Sequence, residues 1–390
     1  MTRASRHEYA AIQRERYRRA GGKKARGEIL TEVVRVTGMH RKAAIRLLRR
    51  EARAPAPRAG RPRQYGPDVA RAAAVVWEAS GYIGAHRLHP FVTELMDRLQ
   101  QHGELAVRPE IDKQLRQASR ATLSRLLAGA RAQRPPRAAS TTRVGSWLKH
   151  EIPIRTFADW DDACPGFAEV DLVAHCGGTT KGFYLCTLCA VDVKTAWVEL
   201  QAVWGKGQQR VRAAVHYVRG RWPVPLQGLD SDNGSEFINT ALLDYCRQYG
   251  ITFTRSRAWK KNDSAHVEQK NGAVVRALVG YDRFASRAAY AQLARVYELA
   301  RLHVNFFQPT QKLVHKSRDG AHTRRVYDAA QTPFQRVCAA GVLSVAHSQE
   351  LTTVYERLNP LRLRRDLEAA LQRLWSLAVL PTSAPPGAPA

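Results

Sequence analysis

The sequence predicts a multidomain protein: α-helical modules come first, an α/β domain with a mixed sheet follows, and a mostly α-helical region closes the chain. Three observations support this class. Helical periodicity marks residues 1–53 and 67–131, short apolar strands begin at Phe167, and a strong amphipathic helix begins at Arg287. Three strands in succession, followed by strands that alternate with helices, favour a mixed sheet over an all-parallel one. A chain of 390 residues has room for several cores of this kind.

Residues 1–53 are predicted to form a helix-turn-helix module. After an Arg-rich helix, an apolar stripe that begins at Ile29 is followed by Thr37-Gly38-Met39 and a second short stripe. Two short helices around a glycine-containing turn are the helix-turn-helix pattern, although a plain helical hairpin has the same periodicity. The second helix would present basic side chains to a DNA groove, namely Arg41, Lys42, Arg46 and Arg49.

Two segments rich in Pro, Ala and Arg, residues 54–66 and 132–149, predict linkers around a second helical module at residues 67–131. In the first linker, Arg61 and Arg63 suit an extended arm in an A·T-rich minor groove, and a plain charged linker is the equal alternative. In the second module, Ser119 is predicted to cap a helix. That helix would place Arg120 against DNA as part of a second helix-turn-helix.

Residues 150–285 are predicted to hold the α/β domain, residues 286–380 a helical and basic region, and residues 381–390 a disordered tail. A hairpin is expected around residues 319–320, because Asp-Gly is a strong turn signal. The five predicted strands cover residues 167–176, 183–191, 196–200, 226–232 and 251–255.

The charge of the chain points to a polyanionic partner. Lys and Arg number 62 against 34 Asp and Glu, a formal net charge of +28, and more than half of the excess lies in the first 142 residues. Neutralisation of phosphates supplies the sequence-independent part of nucleic-acid affinity. No stretch has the ~20 apolar residues of a membrane span, so no membrane partner is expected. Six Cys form no disulfide framework, which suits a cytoplasmic location.

Three carboxylates stand out by position. Asp171 lies within an apolar strand, Asp232 ends the fourth strand before an Asn-Gly turn, and Glu268 lies in the first turns of a helix. If the first and fourth strands are neighbours, Asp171 and Asp232 project side by side, and the helix brings Glu268 across them. Oxygen donors without Cys or His suit Mg²⁺ or Mn²⁺. Two such ions, roughly 3.5–4 Å apart, can clamp the attacking and leaving oxygens of a phosphoryl displacement.

Other charged residues compete for roles near these carboxylates. Asp230 shares a strand face with Asp232 and is its nearest rival, and Glu169 shares a face with Asp171. Asp192 is expected to fix the turn that follows the second strand.

A basic segment precedes Glu268 in the chain. Residues 255–262 contain Trp259 and two lysines that we expect on DNA phosphates, Lys260 and Lys261, with a solvated surface loop as the alternative. Lys270, two positions after Glu268, is expected to reach the end of a bound DNA if it lies on the outer face of the helix, and the sequence leaves that face open.

The spacing of the three carboxylates, with 60 residues from Asp171 to Asp232 and 35 from Asp232 to Glu268, resembles the D…D(35)E signature of the retroviral-integrase superfamily of DDE transposases. The local sequences around residues 169–171, 231–237 and 264–271 resemble it as well. The N-terminal architecture is similar to that of bacterial insertion-sequence transposases. The loop at residues 258–260 departs from the Pro-Tyr-His-Pro that relatives often carry.

This resemblance implies a ribonuclease-H-like fold and a two-metal polynucleotidyl transferase, a transposase or integrase. Such an enzyme binds the ends of a mobile element, cleaves them and joins the 3′-hydroxyl to target double-stranded DNA. Asp171 and Asp232 would bridge two Mg²⁺ or Mn²⁺ ions, and Glu268 would complete the second site. A homo-oligomer on DNA, associated with a bacterial nucleoid, is expected. The alternatives are a DNA-binding regulator with an inactive integrase-like domain, or a nuclease that cleaves without joining.

Overall fold

The computed structural model describes residues 3–49, 64–133, 164–232, 234–255, 265–319 and 322–379. The chain divides into two compact units, residues 1–64 and 65–390. The predicted linker at 132–149 and the tail at 381–390 lie outside the described residues. Among the described helices, none is long and apolar enough to cross a membrane.

The first unit contains three helices, α1 (Arg3–Arg19), α2 (Lys23–Thr37) and α3 (Arg41–Arg49). Gly38 ends α2 in the left-handed region, with φ of 69°, and its N–H donates to the carbonyl of Val34. The chain thereby reverses within three residues and begins α3. The five side chains buried in the small core between the helices are Tyr17, Leu30, Val33, Ala44 and Leu48.

The second unit begins with a bundle of short helices. Ser119 accepts a hydrogen bond from the amide of Thr122 and caps α8, which confirms the predicted N-cap. The helices of the bundle are α4 (Pro67–Ala79), α5 (Ala85–Leu88), α6 (Val92–Gln101), α7 (Pro109–Arg116), α8 (Arg120–Leu126) and α9 (Ala128–Ala132).

A mixed five-stranded sheet lies at the centre of this unit, in the order β3-β2-β1-β4-β5. The first three strands are antiparallel neighbours, and β4 runs parallel to both β1 and β5. This arrangement confirms the predicted mixed sheet and is consistent with a ribonuclease-H-like domain. The strands are β1 (Phe167–His175), β2 (Leu185–Asp192), β3 (Val198–Val203), β4 (Gly228–Ser231) and β5 (Thr252–Arg255).

The register between β1 and β4 depends on a close contact at the start of both strands. Phe167 is paired with Gly228, and a Cβ atom at Gly228 would lie 2.1 Å from the ring of Phe167. Glycine is therefore required at this position, because any side chain would collide with the ring.

Helices pack around the sheet, and α12 contacts β1 and β2 while α14 contacts β3. The helix that carries Glu268 is interrupted after Lys270, since Asn271–Arg276 is a π-helical segment. The helices of this part are α10 (Gln208–Arg221), α11 (Thr240–Gln248), α12 (Ala265–Lys270), α13 (Ala277–Val279) and α14 (Arg287–Phe307).

The C-terminal part adds a hairpin of β6 (Leu313–Asp319) and β7 (His322–Tyr327), as predicted, and the helices α15 (Pro333–Ala339), α16 (Val345–Arg357) and α17 (Pro360–Trp375). Pro360 starts a new helix behind an Asn359 cap, so α16 and α17 are separate helices.

The helical bundle packs on these C-terminal helices within one compact unit, so α4–α9 do not form a separate body. Glu94 of α6 accepts hydrogen bonds from Tyr355 and Gln335, and Arg98 donates to the carbonyl of Tyr355 at 2.7 Å. His303 of α14 bonds the carbonyl of Ala79 at 3.0 Å.

Candidate active site

Asp171 and Asp232 lie next to each other on adjacent parallel strands. Val170 of β1 is paired with Ser231 of β4, so the two aspartates occupy the next position along each strand. Neighbouring strands are about 4.8 Å apart, and residues in register point to the same side of the sheet. The first and fourth strands are therefore neighbours, as the predicted side-by-side placement of the two aspartates requires.

The two carboxylates repel each other. Burial, followed by the negative charge of Asp171, raises the pKa of Asp232 to about 6. Both residues are partly rather than fully buried, so they are open to small solutes. Two like charges on adjacent strands are stabilised by a divalent cation between them. The donor set, which is all carboxylate oxygen, fits Mg²⁺ or Mn²⁺.

The turn after Asp232 holds its carboxylate in place. The amide of Gly234 donates to Oδ1 of Asp232 at 2.9 Å. A Cβ atom at Gly234 would lie 3.0 Å from that same oxygen and 2.8 Å from the carboxylate of Glu236. Glycine lets the backbone approach the carboxylate closely, which accounts for the Gly of the Asp-Asn-Gly motif in physical terms.

Helix α12, which carries Glu268, is fixed over β1 by two hydrogen bonds. The amide of Val267 donates to Oε2 of Glu169 at 2.8 Å, and the side-chain amide of Asn271 donates to Oδ2 of Asp171 at 2.5 Å. Glu268 lies between these two anchors in the chain, one helical turn before Asn271. The side chain of Glu268 is outside the described part of the structure.

Among the described side chains, which do not include Glu268, no group of three or more His, Cys, Asp and Glu is gathered as a metal site. The described part of the candidate centre is therefore the aspartate pair with its supporting helix.

The rival carboxylates have structural roles. Asp230 is only 2% exposed and accepts a hydrogen bond from the hydroxyl of Thr254 at 2.5 Å. It is therefore more deeply buried than Asp232. Glu169, at 1% exposed, receives the amide of α12. Asp192 accepts hydrogen bonds from Thr195, which confirms the predicted turn.

The predicted DNA-contacting residues are spread over the chain. The exposed ones are Arg41, Lys42, Arg46, Arg49 and Arg120. Those outside the described residues are Arg61, Arg63, Lys260 and Lys261.

Lys270 differs from these residues because it is buried, at 7% exposed, and burial lowers its pKa to about 8. Such a position argues against a direct DNA contact. Lys270 is close to Glu268 in the sequence. Neighbouring positions of a helix face different sides, however, and the side chain of Lys270 faces the interior of the protein.

Sequence reasoning assigned no role to Asn271, although it touches Asp171. The available signal was its spacing, since a residue three positions after Glu268 lies on the same helix face. The π-helical segment that begins at Asn271 was not foreseeable, although such segments are frequent at functional sites.

Fold and site together define an α/β protein with a carboxylate pair on two adjacent parallel strands, one carboxylate in the middle of β1 and the other directly after the end of β4. No model of a known protein family matches the chain. Over 336 residues the chain is 42% identical to the uncharacterized protein y4rM of Sinorhizobium fredii (strain NBRC 101917 / NGR234), an alignment that covers 85% of this chain and 95% of that protein. The chain belongs to the same family as y4rM.

Among solved structures, the chain is similar to the HTLV-2 integrase catalytic core domain in complex with magnesium, in its dimeric form. The TM-score is 0.29 and the identity 17%, over 38% of this chain and 91% of that one. A TM-score of this size establishes neither a shared fold nor a shared function.

Proposed function

We propose that this protein is a DDE transposase, a metal-dependent polynucleotidyl transferase that cleaves the ends of a mobile DNA element and joins them to target DNA. The observation that carries the proposal is the side-by-side placement of Asp171, in the middle of β1, and Asp232, directly after β4. The anchoring of α12 across β1 supports it, because this brings the backbone of Glu268 close to the strand that carries Asp171.

Asp171, Asp232 and Glu268 would hold one or two Mg²⁺ or Mn²⁺ ions. Such ions activate a water or 3′-hydroxyl nucleophile and stabilise the leaving oxygen in phosphoryl transfer. The protein's contribution is positioning. Asn271 and the amide of Leu172 each donate to one oxygen of Asp171, and Gly234 donates to Asp232. These bonds fix the direction of the carboxylates before a metal ion binds.

The charge of the chain supports DNA as the substrate. A net charge of +28 provides many partners for phosphates, and the exposed basic side chains of α3 offer a docking surface in the first unit. Assembly of two element ends requires at least two active sites, so we infer a homo-oligomer on DNA.

The test is end cleavage of duplexes taken from the DNA that flanks the gene, where terminal inverted repeats are expected. We expect Asp232→Asn and Asp171→Asn to lower Mg²⁺- or Mn²⁺-dependent cleavage by more than about 100-fold, the upper loss seen when partners of metal ligands are removed. Asp244→Asn is the matched control, because the Asp244 side chain on α11 is 71% exposed and is paired with Arg247 of the same helix. It should cleave as the wild type does.

The products separate the competing functions. Cleavage followed by joining to a second duplex supports the transposase. Cleavage without joining would indicate a nuclease. Equal product from Asp232→Asn and wild type would show that this carboxylate pair does not carry the cleavage activity. Specific DNA binding with no product from any form would favour a DNA-binding regulator.

A further inference from the structure

The hairpin of β6 and β7 forms a two-stranded sheet of its own, separate from the five-stranded sheet. Every residue of these strands whose exposure is described is exposed: Leu313, Val314, His315, Ser317, Arg324, Arg325, Val326 and Tyr327. An isolated two-stranded hairpin is at best marginally stable in water. A ribbon exposed on both faces is therefore better explained by a partner than by its own stability.

The register of the ribbon gathers positive charge on one face. Lys316 is paired directly with Arg325, and Arg318 lies two positions further along the same face. On the other face Arg324 is paired with Ser317. Like charges directly opposite each other destabilise a hairpin. A polyanion bound along the first face would offset this repulsion, because each basic side chain would then lie beside a negative charge.

The base of the ribbon is held firmly to the rest of the unit. Asp328 accepts a hydrogen bond from the amide of Lys312 at 2.7 Å and forms an ion pair with the largely buried Arg336 at 2.7 Å. The ammonium group of Lys312 donates to the carbonyl of Val193 at 2.7 Å. The exposed strands are thus presented from a rigid attachment.

We propose that this ribbon is an arm that binds double-stranded DNA through its basic face. A two-stranded ribbon fits the major groove, which is roughly 12 Å wide. A second copy of the chain is the less suitable occupant, because two identical faces carrying Lys316, Arg318 and Arg325 would repel each other.

The proposal rests on the proposed function for its choice of DNA, and it adds a contact remote from the aspartate pair. Val193, to which the base of the ribbon is tied, donates to Phe167 at the start of β1. Asp232 instead follows the end of β4, which is parallel to β1. The ribbon is therefore attached at the opposite end of the sheet and would hold DNA that extends beyond the reacting phosphate.

The test compares two triple variants of the full-length chain that remove equal charge. K316Q/R318Q/R325Q neutralises the basic face, and R357Q/R362Q/R373Q neutralises exposed positions on α16 and α17. The probe is a fluorescein-labelled, mixed-sequence duplex of about 40 base pairs, titrated at several salt concentrations. Unchanged melting temperatures would show that both variants are folded.

We expect the ribbon variant to bind at least about tenfold more weakly at low salt, and the slope of log K against log salt concentration to fall by about 3, one for each lost phosphate contact. The control variant should change the slope by less than about 1. Wild-type binding by the ribbon variant, or an equal loss in both variants, would overturn the proposal. So would a loss of self-association in sedimentation with unchanged DNA binding.

Binding and cleavage distinguish this proposal from the proposed function, because the ribbon variant keeps Asp171 and Asp232 intact. If the wild type failed to cleave any duplex while the ribbon variant still lost affinity, the catalytic proposal would fall and the DNA-binding arm would stand.

Discussion

The side-chain amide of Asn271 donates a hydrogen bond to Oδ2 of Asp171, which lies 100 positions earlier in the chain. Because this bond sets the direction of one carboxylate of the pair, we predict that Asn271→Ala weakens Mn²⁺ binding and lowers cleavage by about 10- to 100-fold, as is usual for partners of metal ligands. Isothermal titration with Mn²⁺ and a metal titration of activity provide the measurements.

Gln269→Ala is the control for this prediction, since Gln269 lies on the same helix and is exposed. If Asn271→Ala bound Mn²⁺ as tightly as Gln269→Ala does, the hydrogen bond to Asp171 would have no role in metal binding.

The ionised Asp232 is predicted to lower the free energy of unfolding when no metal is bound. Its pKa in the folded protein, about 6, lies above the usual 3.8, so the ionised form that dominates at neutral pH is disfavoured by folding. In EDTA at pH 7 we expect Asp232→Asn to raise the free energy of unfolding by about 1–3 kcal/mol. Mg²⁺ should reduce the difference in free energy of unfolding between Asp232→Asn and the wild type, because it binds and stabilises only the wild type. A variant that melts below the wild type in EDTA would contradict the prediction.

The buried His303 makes the second unit sensitive to acid. Burial, followed by the charge of Arg364, lowers its pKa to about 3. The folded-state pKa is below the unfolded value of 6.5, so the unfolded chain binds more protons between these values, and stability falls as the pH drops below 6.5. From pH 7 to pH 5 the wild type should lose about 2 kcal/mol more than His303→Gln, which keeps a donor for the carbonyl of Ala79.

Urea titrations at both pH values measure this difference. Parallel losses in wild type and variant would show that His303 is not the acid-sensitive group.

Arg98 is predicted to be a principal link between the helical bundle and the C-terminal helices. It is 7% exposed, donates to the carbonyl of Tyr355 and lies 4.7 Å from the centre of the Tyr355 ring. Arg98→Ala leaves buried carbonyls without a donor and should cost about 2–4 kcal/mol in urea unfolding. Arg108→Ala is the matched control. It removes an ion pair with Asp68 in which the Arg108 side chain is 72% exposed, and such pairs contribute less than about 1 kcal/mol. Similar losses in the two variants would refute this role.

Much of the sheet was predictable because strand patterns are local. Alternation and turn residues located all five strands within a few positions, and the Asp-Gly signal located the hairpin of β6 and β7. Helix α15 was missed although its capping box, Thr332 with Gln335, can be read from the sequence. The attachment of the helical bundle to the C-terminal helices was not predictable, because Glu94 and Tyr355 are distant in sequence and no local pattern pairs them.

The sequence by itself determined which carboxylates are candidates, because their positions within a strand, at a strand end and on a helix depend on local periodicity. It left Asp230 and Asp232 as rivals, since both lie on one strand face. The tertiary structure decided their surroundings, which differ. Thr254 on the neighbouring strand binds and buries Asp230, while Asp232 extends past the last pair of β4 to meet Asp171. Pairing between distant strands sets these surroundings, because burial and partners are properties of the assembled sheet and not of any one segment.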